Sequence, residues 1–141
     1  MWGAIIGDIV GSRFEFHNHR SKDFEFFTDD CFFTDDTVMT VAVAKALFEN
    51  KDKPVEVLKR ATVKEMLTFG YKYPDAGYGG KFRKFLFANP APYYSYGNGA
   101  AMRISAAGEF ADSIDEVKKY SKAVTEVSHN HPEGLKGAEC V

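Results

Sequence analysis

The 141-residue chain is poor in cysteine, tryptophan and net charge. Its two cysteines, Cys31 and Cys140, stand in no Cys-x-x-Cys or Cys-His arrangement. That excludes a disulfide scaffold, argues against structural zinc and makes a reducing cytoplasm the default setting. Lys and Arg number 18 against 20 Asp and Glu, a balance of −2 that offers no basic field to hold a phosphate backbone, so nucleic acid is not expected as a primary partner. Long hydrophobic runs are missing too. The apolar opening Met1 to Val10 carries Asp8, has no basic leader and falls short of the roughly 18 apolar residues of a membrane span, so neither membrane insertion nor an export signal is expected. Low-complexity tracts and linkers are absent. A hydrophobic share of 45% and a charged share of 27% exclude disorder, and the length suits one domain over residues 1–141.

Aromatic rings are plentiful instead. With 13 Phe and 7 Tyr there is more ring than a small core needs, which points some of it at a ligand site. Along the chain, Gly3, Gly7 and Gly11 repeat at i, i+4 and i+8, a glycine face that lets another helix come close. Rings alternate with polar groups from Ser12 to Phe33, the pattern of an ordered loop around a site. Thr37 to Glu49 is apolar nearly all round and reads as a buried helix. Pro54 opens a helix whose stripe Val55, Leu58, Thr62, Met66 and Phe69 ends at Gly70. A short helix over 81–88 and another over 99–107 flank an irregular loop. The capping box Ser113 to Glu116 starts a further helix. Pro132 starts the last, which exposes Leu135, Ala138 and Val141 on one side. No long alternating strand occurs, so the fold class is all-α.

Two segments carry chemistry. In Phe27 to Thr37 four carboxylates stand among aromatic rings as Thr-Asp-Asp, twice. Desolvated anions must be paired, hydrogen-bonded or bound to a cation. Thr34, Asp35 and Asp36 offer adjacent oxygen ligands, which select Mg²⁺ or Ca²⁺ over zinc. Asp35 or Asp36 is equally suited to cap the helix that follows. Glu15 is a further candidate carboxylate, four residues after Gly11. The second segment, Tyr93 to Arg103, sets Gly97-Asn98-Gly99 ahead of small residues, so that free backbone N–H groups suit a phosphate, beside tyrosines able to stack on a base. The alternative is an ordinary glycine-rich turn. His129 and His131 are either phosphate donors or helix-terminating residues.

In combination these segments resemble the ADP-ribosylglycohydrolase family. Gly3, Gly7, Asp8, Gly11 and Glu15 match its N-terminal pattern; Thr34 to Thr37 match Thr-Asp-Asp-Thr; Gly77 to Phe82 match Gly-Tyr-Gly-Gly-x-Phe. Ser95 to Arg103 match Ser-Tyr-Gly-Asn-Gly-x-Ala-Met-Arg, and Ser128-His129 precede the expected Gly-Ala pair. The resemblance implies an all-α fold with a binuclear Mg²⁺ centre, Mn²⁺ being an alternative, that removes ADP-ribose from modified proteins or related acceptors. It implies Thr34, Asp35 and Asp36 as metal ligands, with Asp36 also catalytic, and Glu15 as the residue that activates water. It places Ser95, Tyr96, Gly97, Asn98 and Gly99 on the diphosphate and ribose, Tyr96 against adenine, and His129 on the ribose or phosphate. Family members are longer and carry an Asp-x-Asp-Thr motif towards the C-terminus, which this chain lacks. The chain therefore reads as the N-terminal portion of that fold, with a homo-oligomer or a missing C-terminal half to cover its apolar surface. A non-catalytic ADP-ribose binder and an inactive remnant are the alternatives to a hydrolase.

Overall fold

The computed structural model describes residues 1–141. It holds seven α-helices and no strand, as the sequence pattern predicts. They are α1 (Trp2–Gly11), α2 (Asp35–Asn50), α3 (Val55–Lys72), α4 (Gly80–Phe87), α5 (Ser105–Phe110), α6 (Ile114–Thr125) and α7 (Pro132–Cys140), with a 3₁₀ turn, Ser12–Phe14, after α1. No helix is long and apolar enough to cross a membrane.

The core is built on α2, where Met39, Ala42, Val43, Ala46 and Leu47 are completely buried. Their small and branched side chains let α3 lie close along one side, while α1 and α5 cover others. One stripe stays open, because Lys45, Phe48 and Glu49 face outward. Charge enters this interface once: Glu65 of α3 is buried and meets the half-exposed Lys45 ammonium at 2.7 Å, so the anion keeps a partner. Further along, α6 packs on α3 and α7 packs on α6.

Caps explain several boundaries. Ser113 accepts a hydrogen bond from the Glu116 N–H at 3.3 Å, and the Glu116 carboxylate reaches back to the Asp112 N–H at 2.8 Å. Pro132 occupies the first turn of α7, where the His131 Nδ1 accepts from the Glu133 N–H at 3.1 Å. The cap of α2 is unusual. Thr34, not Asp35 or Asp36, is its N-cap, accepting from the Asp36 N–H at 3.3 Å. The carboxylate of Asp8, on α1, takes four further donors of that end. It accepts from the Thr34 N–H and hydroxyl at 2.8 and 2.6 Å, and from the Thr37 N–H and hydroxyl at 3.1 and 2.5 Å. Two helices distant in sequence are thereby locked at one point, and the anion sits at the positive end of α2.

Three sequence expectations need correction. No atom of another segment lies within 4 Å of a Cβ built on Gly3, Gly7 or Gly11, so this face meets no helix in the chain and instead borders open space. The helix expected from Gly99 begins only at Ser105, because residues 98–103 turn irregularly to carry the Arg103 side chain into the interior. The final helix packs on α6 and buries Ala138, while Leu135 is half-buried, leaving only Val141 of that set exposed. Apolar surface is open elsewhere, at Trp2, Ile6, Phe16, Phe26, Phe27 and Phe32.

Asp8→Ala strands four donors at the start of α2 and is expected to lower the unfolding free energy by about 2–4 kcal/mol, with Asp8→Asn costing roughly half as much because one acceptor oxygen remains. Urea titration of the three proteins checks the order.

Candidate active site

With its hydroxyl and N–H turned to Asp8, Thr34 releases the carboxylates of Asp35 and Asp36 from capping. Both line a cleft of about 400 Å³ together with Glu15, the 77–82 segment, Ser95, Gly97 to Gly99, Arg103 and His129. A second cleft of about 520 Å³ adjoins it along α1, and Glu15, Asp35, Asp36 and Asn98 border both. The sequence candidates Glu15, Asp35, Asp36, Ser95, Gly97, Asn98, Gly99 and His129 thus come together from four separate stretches. Thr34 borders the second cleft, its hydroxyl donating to Asp8 and accepting from the Asp36 N–H, which leaves one lone pair of the oxygen unused. Tyr96 is not brought in: its ring is exposed and meets His131 edge-on at 5.2 Å instead. Of the two Thr-Asp-Asp copies, the first stays apart, Thr28 and Asp30 being held by Arg13.

One end of the cleft is anionic. Burial pushes the Asp35 carboxyl up to about 6, reinforced by repulsion from Asp36, Asp8 and Glu15. Asp36 is raised as well, by burial first and then by Asp8 and Glu15. The Asp35 N–H donates to the Ala76 carbonyl at 2.6 Å, tying the loop before α4 to the start of α2. Gly77 makes that turn possible, because its φ of +98° is a backbone conformation that L side chains rarely adopt. No three Asp, Glu, His or Cys side chains converge closely enough to form a complete metal cage by themselves. The donors are nonetheless oxygen only and carry uncompensated negative charge. They fit Mg²⁺, which is commonly bound through one or two carboxylates while keeping several waters.

The other end is a donor surface. Of the residues that line it, Asn98 and Gly99 have N–H groups accepted by no backbone carbonyl, and the Gly97 N–H is held by the Ser95 hydroxyl at 3.2 Å. Arg103 lies just behind this turn, 0% exposed, with its guanidinium 5.3 Å over the Phe82 ring and no carboxylate in ion-pair range. Only its Nη2 has a protein partner, Ser128 Oγ at 2.7 Å. Burial lowers the Arg103 pKa to about 10, still charged at neutral pH. His129 stands between Tyr93 and Phe82, and a Cβ on Gly99 would meet its Nε2 at 3.0 Å. The loop is clamped from α7, where a Cβ on Gly134 would come within 2.8 Å of the Ser95 carbonyl oxygen. Tyr94 takes a left-handed backbone, φ 54°, its N–H held by the Asn130 side chain at 2.7 Å.

Sequence reasoning gave no role of their own to Asp8, Arg103 and Gly134. Arg103 had a signal, a lone charge within Ala-Ala-Met-Arg-Ile-Ser-Ala-Ala, the mark of a buried guanidinium. Gly134 had none, because its need is a clash with a loop some forty residues away.

The family is shown by the match of the ADP-ribosylglycohydrolase model to residues 1–141: the chain belongs to that family. Among curated relatives, it is 27% identical to the ADP-ribosylhydrolase ARH3 of Xenopus tropicalis over 96% of the chain and 45% of that protein. It is 27% identical to that of Mus musculus, over 96% of the chain and 44% of the relative. To the human protein it is 26% identical, over 96% and 45%. The chain therefore spans somewhat less than half the length of the curated relatives it matches.

Two outcomes follow from the geometry. Gly134→Ala forces the Ser95–Tyr96 backbone outward and is expected to cost about 1–3 kcal/mol of stability in thermal unfolding. The second concerns acid. His129 is held down at about 3, by burial first and then by the Arg103 charge, whereas an unfolded chain protonates it near 6.5. Below pH 6.5 the unfolded state takes a proton that the folded state refuses, so this group removes stability as pH falls from 6.5 towards 3. Asp35 acts oppositely, its raised folded value making its contribution fade as pH rises through about 6. The drop in urea midpoint between pH 7 and pH 4.5 is therefore expected to be smaller in His129→Gln than in the wild type.

Proposed function

We propose that the protein serves in Mg²⁺-assisted hydrolysis of the bond joining the ribose anomeric carbon of ADP-ribose to a modified side chain or related acceptor. The observation that carries this reading is the division of one cleft into an oxygen-rich anionic end, Glu15, Asp35 and Asp36, and a donor-rich end at Asn98 and Gly99 with His129. Such a cleft suits a ligand that is a sugar at one end and a diphosphate at the other. Membership of the family and the printed names of the ARH3 relatives support the same substrate class.

Thr34, Asp35 and Asp36 would hold the metal, with Mn²⁺ as a substitute for Mg²⁺ and two ions expected from the family resemblance. Bound there, a divalent cation supplies positive charge that orients sugar hydroxyls and lowers the pKa of water. Breaking the glycosidic bond builds positive charge on the ribose, which the carboxylates at this end of the cleft stabilise. Glu15, exposed at the mouth shared by both clefts, takes a proton from the attacking water as the water oxygen bonds to the anomeric carbon, and the acceptor leaves with the bonding pair and picks up a proton from solvent. The Asn98 and Gly99 N–H groups and the His129 imidazole bind the phosphate or ribose oxygens and hold the anomeric carbon toward the acidic end.

A second reading, a binder that does not turn over, is favoured by the absence of a complete three-ligand cage. Release of free ADP-ribose from ADP-ribosylated peptides in millimolar Mg²⁺ decides between them. Turnover supports the hydrolase, with a fall of about 100-fold or more expected in Glu15→Gln and in Asp36→Asn. Calorimetric binding of ADP-ribose without release supports the binder, and absence of both sinks the two readings together.

A further inference from the structure

Arg103, Ser128 and His129 form a buried chain that leads from the interior to the donor end of the cleft. Arg103 Nη2 donates to Ser128 Oγ at 2.7 Å, and Ser128 Oγ lies 2.9 Å from His129 Nδ1. Arg103 and Ser128 are 0% exposed and His129 is 4% exposed, so bulk water does not serve this chain of contacts.

The proton count on the three side chains permits one complete arrangement. A guanidinium has donors and no acceptor, so the Ser128 oxygen must accept from it. The Ser128 hydroxyl hydrogen then needs an acceptor, and His129 Nδ1 is the only other partner at Ser128 Oγ. If Nδ1 carried a hydrogen, both neighbours of Ser128 would be donors and its own hydrogen would be stranded in the interior. With Nδ1 bare, both contacts of the Ser128 hydroxyl are satisfied and the imidazole hydrogen resides on Nε2. That atom is the one beside Gly99, on the cleft side of the ring.

We propose that Arg103 and Ser128 are positioning residues that fix His129 as the neutral Nε2–H tautomer, so that it presents a donor to an oxygen of the ligand beside the 97–99 turn. Resting on the ADP-ribose reading for the ligand's identity, the relay assigns His129 to hydrogen-bond donation and excludes it as a base. The downward displacement of its pKa by burial and by Arg103 agrees, since it keeps the ring uncharged across the neutral range. The same logic explains a buried serine beside the histidine: alanine would fill the space but would leave the tautomer free.

The test reads the tautomer directly and without ligand. Nitrogen-15 NMR of the ring in the purified wild-type protein at pH 7 is expected to show a protonated Nε2 and a bare Nδ1. Ser128→Ala, a small change unlike a truncation of Arg103, is expected to give a mixture of the two tautomers. Arg103→Lys, which still donates and cannot accept, is expected to keep the Nε2–H form. ADP-ribose Kd, by calorimetry, is expected to rise about tenfold in Ser128→Ala and by less in Arg103→Lys. A wild-type ring protonated on Nδ1, or a Ser128→Ala ring unchanged in tautomer, overturns the relay. An Nε2–H ring in a wild-type protein that does not bind ADP-ribose upholds the relay and overturns the ligand reading instead.

Discussion

The carboxylate of Asp8 is the interaction on which the rest depends. A helix start leaves several N–H groups without partners, and those of α2 lie where the chain also concentrates acidic residues. Had Asp35 or Asp36 turned back to cap its own helix, that carboxylate would have been spent on the backbone. Asp8 takes the N–H and hydroxyl groups of Thr34 and Thr37 from outside, so α1 is bolted to α2 and the two following carboxylates face the cleft. One anion therefore settles helix packing, the α2 boundary and the exposure of the acidic pair.

The resulting cleft holds charges of opposite sign without pairing them. Asp35, Asp36 and Glu15 repel one another at one end, while Arg103 is buried near the other with no carboxylate partner in ion-pair range. Such a separation is costly in the absence of a ligand and becomes favourable when a ligand brings a cation to one end and anionic oxygens to the other. The Ser95 to Arg103 turn follows the same rule. Its N–H groups are withheld from a helix, which begins only at Ser105, and the backbone is instead braced by Gly134 and by the Asn130 side chain. Instability accepted locally is the condition for binding.

Much of this was legible in the residues. The all-α class, the Ser113 capping box, the Pro132 start and the buried character of Thr37 to Glu49, apart from the stripe Lys45, Phe48 and Glu49 that stays exposed, depend on local periodicity and on side chains acting within a few positions, and they reappear in the structure. The acidic and glycine-rich segments were legible as candidates because oxygen clusters and exposed backbone donors are compositional facts. Misreadings came where the outcome depended on a remote partner. The Gly3, Gly7 and Gly11 face looked made for a helix, yet borders open space. The helix expected from Gly99 begins only at Ser105, because residues 98–103 turn to carry Arg103 into the interior.

What the sequence by itself determined, then, is the set of helices, the donor and acceptor types available, and the family to which the chain belongs, because these rest on spacing and composition. Tertiary structure alone decided that Thr34, braced by Asp8, rather than Asp35 or Asp36 caps α2, that Arg103 lies buried behind the 97–99 turn, and that Ser128 joins it to His129. The physical reason is that a hydrogen bond between residues far apart in the chain exists only after packing has brought them together, and no local pattern specifies which of several equivalent oxygens will be the one to arrive.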